Sequence, residues 1–169
     1  KLLRQVNWPT QRVHMLLETF ANHMYPAWLM TQHSFRCFML KHALLSTSDK
    51  RIPHFYFAFA AGKEFISFGA LLLGLACMHP KAANHLVTRA KFIFHYYAGE
   101  KKNVIVGAQV TALMLDLRGE LRSDNSNKSL DFEQFCKLLC DNNSSRADNL
   151  LRLDKSFFAN GKGGNKLVM

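Results

Sequence analysis

Apolar residues recur at helical spacing along almost the whole chain, and polar loops interrupt them in a repeating order. Each repeat has a helix-like stretch, a loop of about a dozen residues, a short β-like pair and another helix-like stretch. No segment alternates apolar and polar residues over the length of a full strand. The sequence therefore predicts an all-α chain in which helices are joined by loops that carry only brief β contacts.

The clearest unit is a helix-like stretch that ends in Phe94-His95-Tyr96-Tyr97 and is followed by the loop Ala98–Gln109. The loop has the length and layout of a twelve-residue EF-hand calcium loop. Asn103 occupies the sharp-turn position, where glycine normally supplies an open backbone. Ile105 occupies position eight, and we expect it to make a short β contact with a neighbouring loop.

The calcium ligands of this loop are missing. A working loop needs side-chain oxygens at positions one, three and five and a bidentate glutamate at position twelve. Those positions hold Ala98, Glu100, Lys102 and Gln109. Ala98 has no side-chain oxygen, the Lys102 ammonium repels a divalent cation, and Gln109 offers only a neutral amide. We therefore expect this degenerate loop to bind no calcium.

Two more segments follow the same layout. In Phe55–Phe68 the loop is about one residue too short, and Glu64 is the only carboxylate near its ligand positions. In the segment 123–134, Leu130 falls at position eight and the ligand positions can all offer oxygen. Its candidate side-chain ligands are Ser123, Asn125, Asn127, Asp131 and Gln134. Only Asp131 is charged, so this loop is at most a weak metal candidate, because calcium affinity follows ligand charge.

Taken together, these segments resemble the neuronal calcium sensor family, including the potassium-channel-interacting proteins. The resemblance rests on aromatic and aliphatic spacing over roughly residues 2 to 140. It is carried by Asn7–Phe20, Tyr25-Pro26-Ala27, Phe55–Leu72, Phe94–Val110 and Leu130–Phe135. It implies an EF-hand-like fold of two paired helix-loop-helix lobes with short β contacts between loops. The acidic ligands and the myristoylation start of that family are absent, so only the fold and groove binding are implied here.

The predicted organisation is an N-terminal EF-hand-like pair over residues 1–80 and a C-terminal pair over residues 81–158. The second pair includes a final amphipathic helix, Arg146–Phe158, and residues 159–169 form a flexible, glycine-rich tail. Where the resembled family forms its groove, this chain has a surplus of large apolar side chains. The predicted groove residues are Trp8, Phe20, Trp28, Phe35, Phe38, Phe55, Phe57, Phe68, Leu71 and Leu72.

The function predicted from these features is a non-catalytic, regulatory protein-interaction module without a cofactor. Its partner would be a helical segment of another protein or of its parent protein, including the final helix itself. Phosphate-binding, nucleophile-elbow and zinc-protease motifs are absent from the sequence, and nothing pairs two carboxylates for acid–base catalysis. One alternative is a weak calcium-responsive sensor that uses the 123–134 loop.

The net charge of +10 raises a second alternative, a basic helical domain that binds nucleic acid. The basic residues are scattered, without a run of five or six, which disfavours it. The four cysteines form no CxxC pair, and a chain of this size needs no disulfides, so a cytoplasmic location is expected, with the nucleus as the alternative. The longest apolar run is too short for a membrane span.

Overall fold

The computed structural model describes residues 2–42, 49–83, 87–101, 103–119, 128–141 and 145–153. Most of these residues are helical, as the apolar spacing predicted. The described α-helices are α1 (Leu2–Val6), α2 (Thr10–Met24), α3 (Gln32–Lys41), α4 (Ile52–Ala60), α5 (Phe68–Cys77), α6 (Val87–Ala98), α7 (Ala108–Arg118), α8 (Phe132–Asp141) and α9 (Ser145–Asn149). A 3-10 turn, Gly99–Lys101, follows α6 directly.

In the described part of the chain, four strands of two residues each lie between the helices and form two antiparallel pairs. They are β1 (Leu29–Met30), β2 (Ile66–Ser67), β3 (Ile105–Val106) and β4 (Ser129–Leu130). β1 pairs with β2, and β3 pairs with β4. We call α2 to α5 with β1 and β2 the N-terminal unit, and α6 to α8 with β3 and β4 the C-terminal unit. The N-terminal unit is thus two helix-strand-helix segments joined through their strands, whereas in the C-terminal unit α7 is the one described helix between the two paired strands.

Local sequence explains where several helices begin and end. α2 ends at Met24 because Pro26 restricts Tyr25 to an extended backbone. α4 ends in a left-handed residue, Ala61, whose N–H donates to the Phe57 carbonyl. α7 ends in the same way at Gly119, where glycine adopts a positive φ without a Cβ penalty. α3 and α5 begin after Thr31 and Ser67, whose hydroxyls accept hydrogen bonds from backbone N–H groups of the first turn.

The core is one contiguous apolar cluster that runs through both units. α4 packs against α6, which joins the two units, and α1 packs against α5. Phe35, Phe38 and Phe135 are fully buried, as are the strand residues Met30, Ile66 and Ile105. Burial of this much aromatic and aliphatic area is the main source of stability, because each buried large side chain contributes about 1.5–3 kcal/mol.

Three features of the structure differ from the sequence prediction. α1 and β1 were not predicted, since five residues without a clear stripe and two residues of strand leave little periodic signal. The final helix was predicted as Arg146–Phe158, but its described part ends at Asn149, and Leu151 has a positive φ that no α-helix permits. Residues 154–158 and the predicted tail 159–169 lie outside the described residues.

None of the helices in the described ranges is both long and apolar enough to cross a bilayer.

Candidate functional site

The β3–β4 pair brings together the two residues that the loop pattern put at position eight. Ile105 lies opposite Leu130 across the β3–β4 pair, in the register expected for two neighbouring loops. Met30 and Ile66 lie opposite each other in the same way in the β1–β2 pair. The side chains of Met30, Ile66 and Ile105 are buried, so each pair is anchored in the core.

Around the degenerate loop 98–109, the described ligand positions do not converge. Ala98 is the buried last residue of α6, and Glu100 is exposed in the 3-10 turn. Gln109 is half-buried in the first turn of α7, and Lys102 lies outside the described residues. Within the described ranges, no three His, Cys, Asp or Glu side chains are grouped closely enough to hold a metal ion.

In the loop 123–134, the two described ligand candidates bond to each other's backbone. The Gln134 N–H donates to Asp131 Oδ1 at 2.8 Å, and the Asp131 N–H donates to Gln134 Oε1 at 3.0 Å. This reciprocal pair is a capping box at the start of α8. The side chains are therefore oriented by the helix terminus. Ser123, Asn125 and Asn127 lie outside the described residues.

The same position serves as a helix cap in the N-terminal unit. Thr31 and Ser67 directly follow Met30 and Ile66, just as Asp131 follows Leu130. Thr31 accepts a hydrogen bond from the Ser34 N–H at 3.2 Å, and Ser67 accepts one from the Ala70 N–H at 3.3 Å. In all three places, the residue that follows the paired strand residue caps the start of the next helix, which needs no ion.

The predicted groove residues mostly form the interior of the N-terminal unit. Phe20, Phe35, Phe38, Phe55 and Leu71 are buried, and the rings of Phe35 and Phe59 lie 5.1 Å apart. A second group is partly buried against this core and consists of Trp8, Phe57, Phe68 and Leu72. Trp28 alone in the set is largely exposed, at 49% of its surface.

A cleft of about 400 Å³ opens on a different face, between α4, α5 and α6. Its volume falls within the range of binding pockets, and its lining is mostly apolar. None of the ten predicted groove residues lines it. The lining residues are Ala58, Phe59, Ala60, Ala61, Lys63, Ser67, Gly69, Ala70, Leu73, Gly74, Cys77, Val87, Thr88, Lys91 and Phe92.

Small residues create this cleft. Ala58 and Ala61 from α4 and its cap, with Ala70 and Gly74 from α5, leave space where larger side chains would meet. Gly74 also lets α5 approach the Phe59 ring, since a Cβ at this position would clash with that ring. Gly69 faces open space, with only Ser67 Oγ within 4.0 Å of an added Cβ. The sequence does not predict this cleft, because alanine and glycine form no recognisable motif.

The cleft combines apolar side chains with two cations. Leu73 is 38% exposed and Val87 is 63% exposed, so both leave apolar surface accessible at the cleft. Lys63 follows α4 and Lys91 lies on α6, and both are exposed. The described residues of the lining include no aspartate or glutamate.

The one thiol in the lining is unsuited to nucleophilic chemistry. Cys77 is buried, and burial raises the pKa of its thiol to about 12, although the Arg89 cation acts in the opposite direction. A neutral thiol is neither a good nucleophile nor a good metal ligand. The cleft therefore offers surface and charge for binding, and its cysteine acts as a small apolar group.

Two arginines fix the C-terminal segment beside the cleft. Arg89, fully buried on α6, donates to the Cys77 carbonyl and to the Leu150 carbonyl, the latter at 2.6 Å. Arg152 donates to the carbonyls of His79 and Ala82. Burial lowers the pKa of Arg89 to about 9, and the Arg152 cation contributes to this lowering. The described part of the final helix contributes nothing to the cleft lining.

No protein-family model matches this chain, and no curated protein is similar enough to it to count as a match. The function is therefore inferred from the geometry of this chain.

Proposed function

We propose that the chain is a non-catalytic protein-interaction module built on two pairs of degenerate EF-hand-like segments. In this proposal, apolar packing and helix caps stabilise the fold in place of calcium. Support comes from the strand pairing, which sets Ile105 opposite Leu130 and Met30 opposite Ile66, the register that paired loops of this type require. Asp131 and Gln134, which would be ligands in a working loop, cap α8 instead.

The binding surface in this proposal is the cleft between α4, α5 and α6. The observation that carries it is the exposure of Leu73 and Val87 at a pocket of about 400 Å³. An amphipathic helix from a partner buries such a surface by inserting apolar side chains at i, i+3, i+4 and i+7. The proposal uses this location and not the aromatic groove predicted from the sequence, since five of the ten groove side chains are buried in the core.

Calcium titration of the wild-type chain, and of a variant with restored loop ligands, tests the proposed EF-hand-like fold. The wild-type chain should give no binding heat with calcium in the micromolar range. The variant A98D/K102D/N103G/Q109E restores oxygen ligands at positions one, five and twelve and glycine at position six, and retains Glu100 at position three. It should bind calcium with a dissociation constant of about 10⁻⁵ M or tighter. The control A112D adds a carboxylate to an exposed site on α7 and should bind none.

Micromolar binding by the wild-type chain would instead support the sensor alternative, through the 123–134 loop. A repaired variant that folds and still ignores calcium would contradict the EF-hand-like frame itself. Circular dichroism and thermal melting of both variants establish whether they fold.

A cleft-filling variant tests the binding surface. Gly69→Trp places an indole at the open edge of the cleft, and Ala112→Trp places one on the exposed face of α7 as a matched control. With an amphipathic peptide as probe, Gly69→Trp should abolish the amide chemical-shift changes in α4, α5 and α6. Ala112→Trp should leave them in place.

A further inference from the structure

We infer that the helix received by the cleft is acidic on the flanks of its apolar stripe. This inference rests on the proposed function and specifies the chemistry of the partner. Among the described residues, the lining carries two lysines and no carboxylate.

The two lysines come from different elements. Lys63 lies in the segment after α4, and Lys91 lies on α6, so two separate elements each bring one ammonium to the apolar lining. Among the described residues, neither forms an ion pair with a carboxylate, although Lys91 lies 6.0 Å from the centre of the Phe132 ring. Both are exposed, so both can meet carboxylates on a docked helix.

The charge of the whole chain favours the same partner. With a net charge of +10, the protein attracts acidic molecules over distances of about a Debye length, roughly 8–10 Å at physiological salt. The lysines then favour one orientation of the bound helix, because misplaced like charges at an interface are costly. The result is faster association and higher specificity, with a modest gain in affinity.

Nucleic acid is also acidic, but the lining is poorly suited to it. Binding of single strands uses exposed aromatic rings on which bases stack. The aromatic residues of the lining, Phe59 and Phe92, are buried, and the exposed apolar residues are the aliphatic Leu73 and Val87. Aliphatic side chains fit the leucine or phenylalanine stripe of a helix better than they fit a base.

Three peptides of roughly 18 residues, long enough for five helical turns, test the inference. They share one leucine-phenylalanine stripe and carry glutamate, glutamine or lysine on both flanks. At about 50 mM salt, the glutamate peptide should bind the full chain about fivefold more tightly than the glutamine peptide, as two solvated ion pairs allow. The lysine peptide should bind more weakly than either, and the preference should shrink as salt is raised.

Charge reversal completes the experiment. The variant K63E/K91E should prefer the lysine peptide, whereas the control K41E/K128E changes the net charge equally outside the lining and should keep the glutamate preference. Equal binding of the glutamate and glutamine peptides, abolished by Gly69→Trp, would overturn the acidic partner and leave the proposed function intact. If none of the three peptides binds, both fail. Tighter binding of a single-stranded oligonucleotide, lost in K63E/K91E, would overturn the inference in favour of nucleic acid.

Discussion

The N-terminal and C-terminal units share a strand geometry but differ in what else holds them together. In the N-terminal unit the interior is aromatic: Phe35 packs 5.1 Å from Phe59 and 5.8 Å from Tyr56, measured between ring centres. The C-terminal unit has its own cluster of Phe94, Phe132 and Phe135, and it adds buried polar contacts. Tyr97 donates to Asp116 at 2.5 Å, and Arg89 binds two backbone carbonyls.

This difference shows two ways to stabilise paired loops. In the N-terminal unit, aromatic rings from α2, α3, α4 and α5 pack in one apolar cluster, so the same contacts stabilise all four helices. In the C-terminal unit, directional hydrogen bonds also tie down one particular segment, residues 145–153, against the turn after α5. Apolar loss should therefore destabilise the whole fold, whereas loss of a guanidinium should act locally.

The largest expected effect comes from breaking the aromatic interior of the N-terminal unit. Phe35→Ala removes a fully buried ring and leaves a cavity between α3 and α4. The free energy of unfolding should fall by about 3–5 kcal/mol, measured by urea denaturation. Phe65→Ala, at a ring that is 38% exposed, is the control and should cost far less. Similar costs for the two variants would contradict the burial described here.

A smaller, local effect is expected from Arg89→Met in the C-terminal unit. The variant keeps an apolar stem but leaves the Cys77 and Leu150 carbonyls without this donor. Each buried carbonyl left without a hydrogen bond costs about 1–3 kcal/mol. Removing a buried cation offsets part of this cost, so the free energy of unfolding should fall by about 1–3 kcal/mol in total. Hydrogen exchange should accelerate first at the Leu153 N–H, which donates to the Met78 carbonyl at 3.0 Å.

The control for this variant is Arg4→Met, at an exposed arginine of α1. It should change neither stability nor exchange in residues 145–153. An Arg89→Met protein that is as stable as the wild type, with unchanged protection at Leu153, would show that the guanidinium does not fix this segment.

The sequence predicted those parts of the fold that repeat, and it missed those that depend on single residues. The strand at Ile105 was predicted correctly because the loop pattern puts this residue at position eight, where a short β contact is expected. The cleft could not be predicted, because it arises from the absence of side-chain volume at Ala58, Ala70 and Gly74. The role of Arg89 was also missed, although an arginine among the buried residues of α6 is a detectable signal.

The aromatic residues show a further limit of periodicity. Spacing identified Phe20, Phe35 and Phe55 as facing inwards, but it could not distinguish a filled core from an open groove. That distinction depends on the distance between facing helices, which the residue spacing within a single helix does not determine. The exposed apolar side chains at the cleft, Leu73 and Val87, lie outside the aromatic set, in which Trp28 is largely exposed.

The smallest effect concerns the response of the two units to acid. In the N-terminal unit, burial lowers the pKa of His42 from 6.5 to about 4, with further lowering from the Lys41, Arg12 and His23 charges. In the C-terminal unit, burial and then the Lys91 cation lower the pKa of His95. Because these folded-state pKa values lie below the unfolded value, the unfolded chain binds more protons in this window. The free energy of unfolding should therefore fall as the pH drops from about 6.5 towards about 4.

His42→Leu should reduce this acid sensitivity. The full shift corresponds to roughly 3 kcal/mol, and solvent screening at this incompletely buried ring reduces the expected difference to about 1 kcal/mol. The measurement is urea denaturation at pH values from about 4 to 7. His14→Gln, at an exposed histidine, should retain the wild-type pH dependence. If His42→Leu loses stability on acidification as steeply as the wild type, the acid response does not come from His42, and His95→Gln and His79→Gln become the variants to compare, since burial lowers the pKa of both histidines.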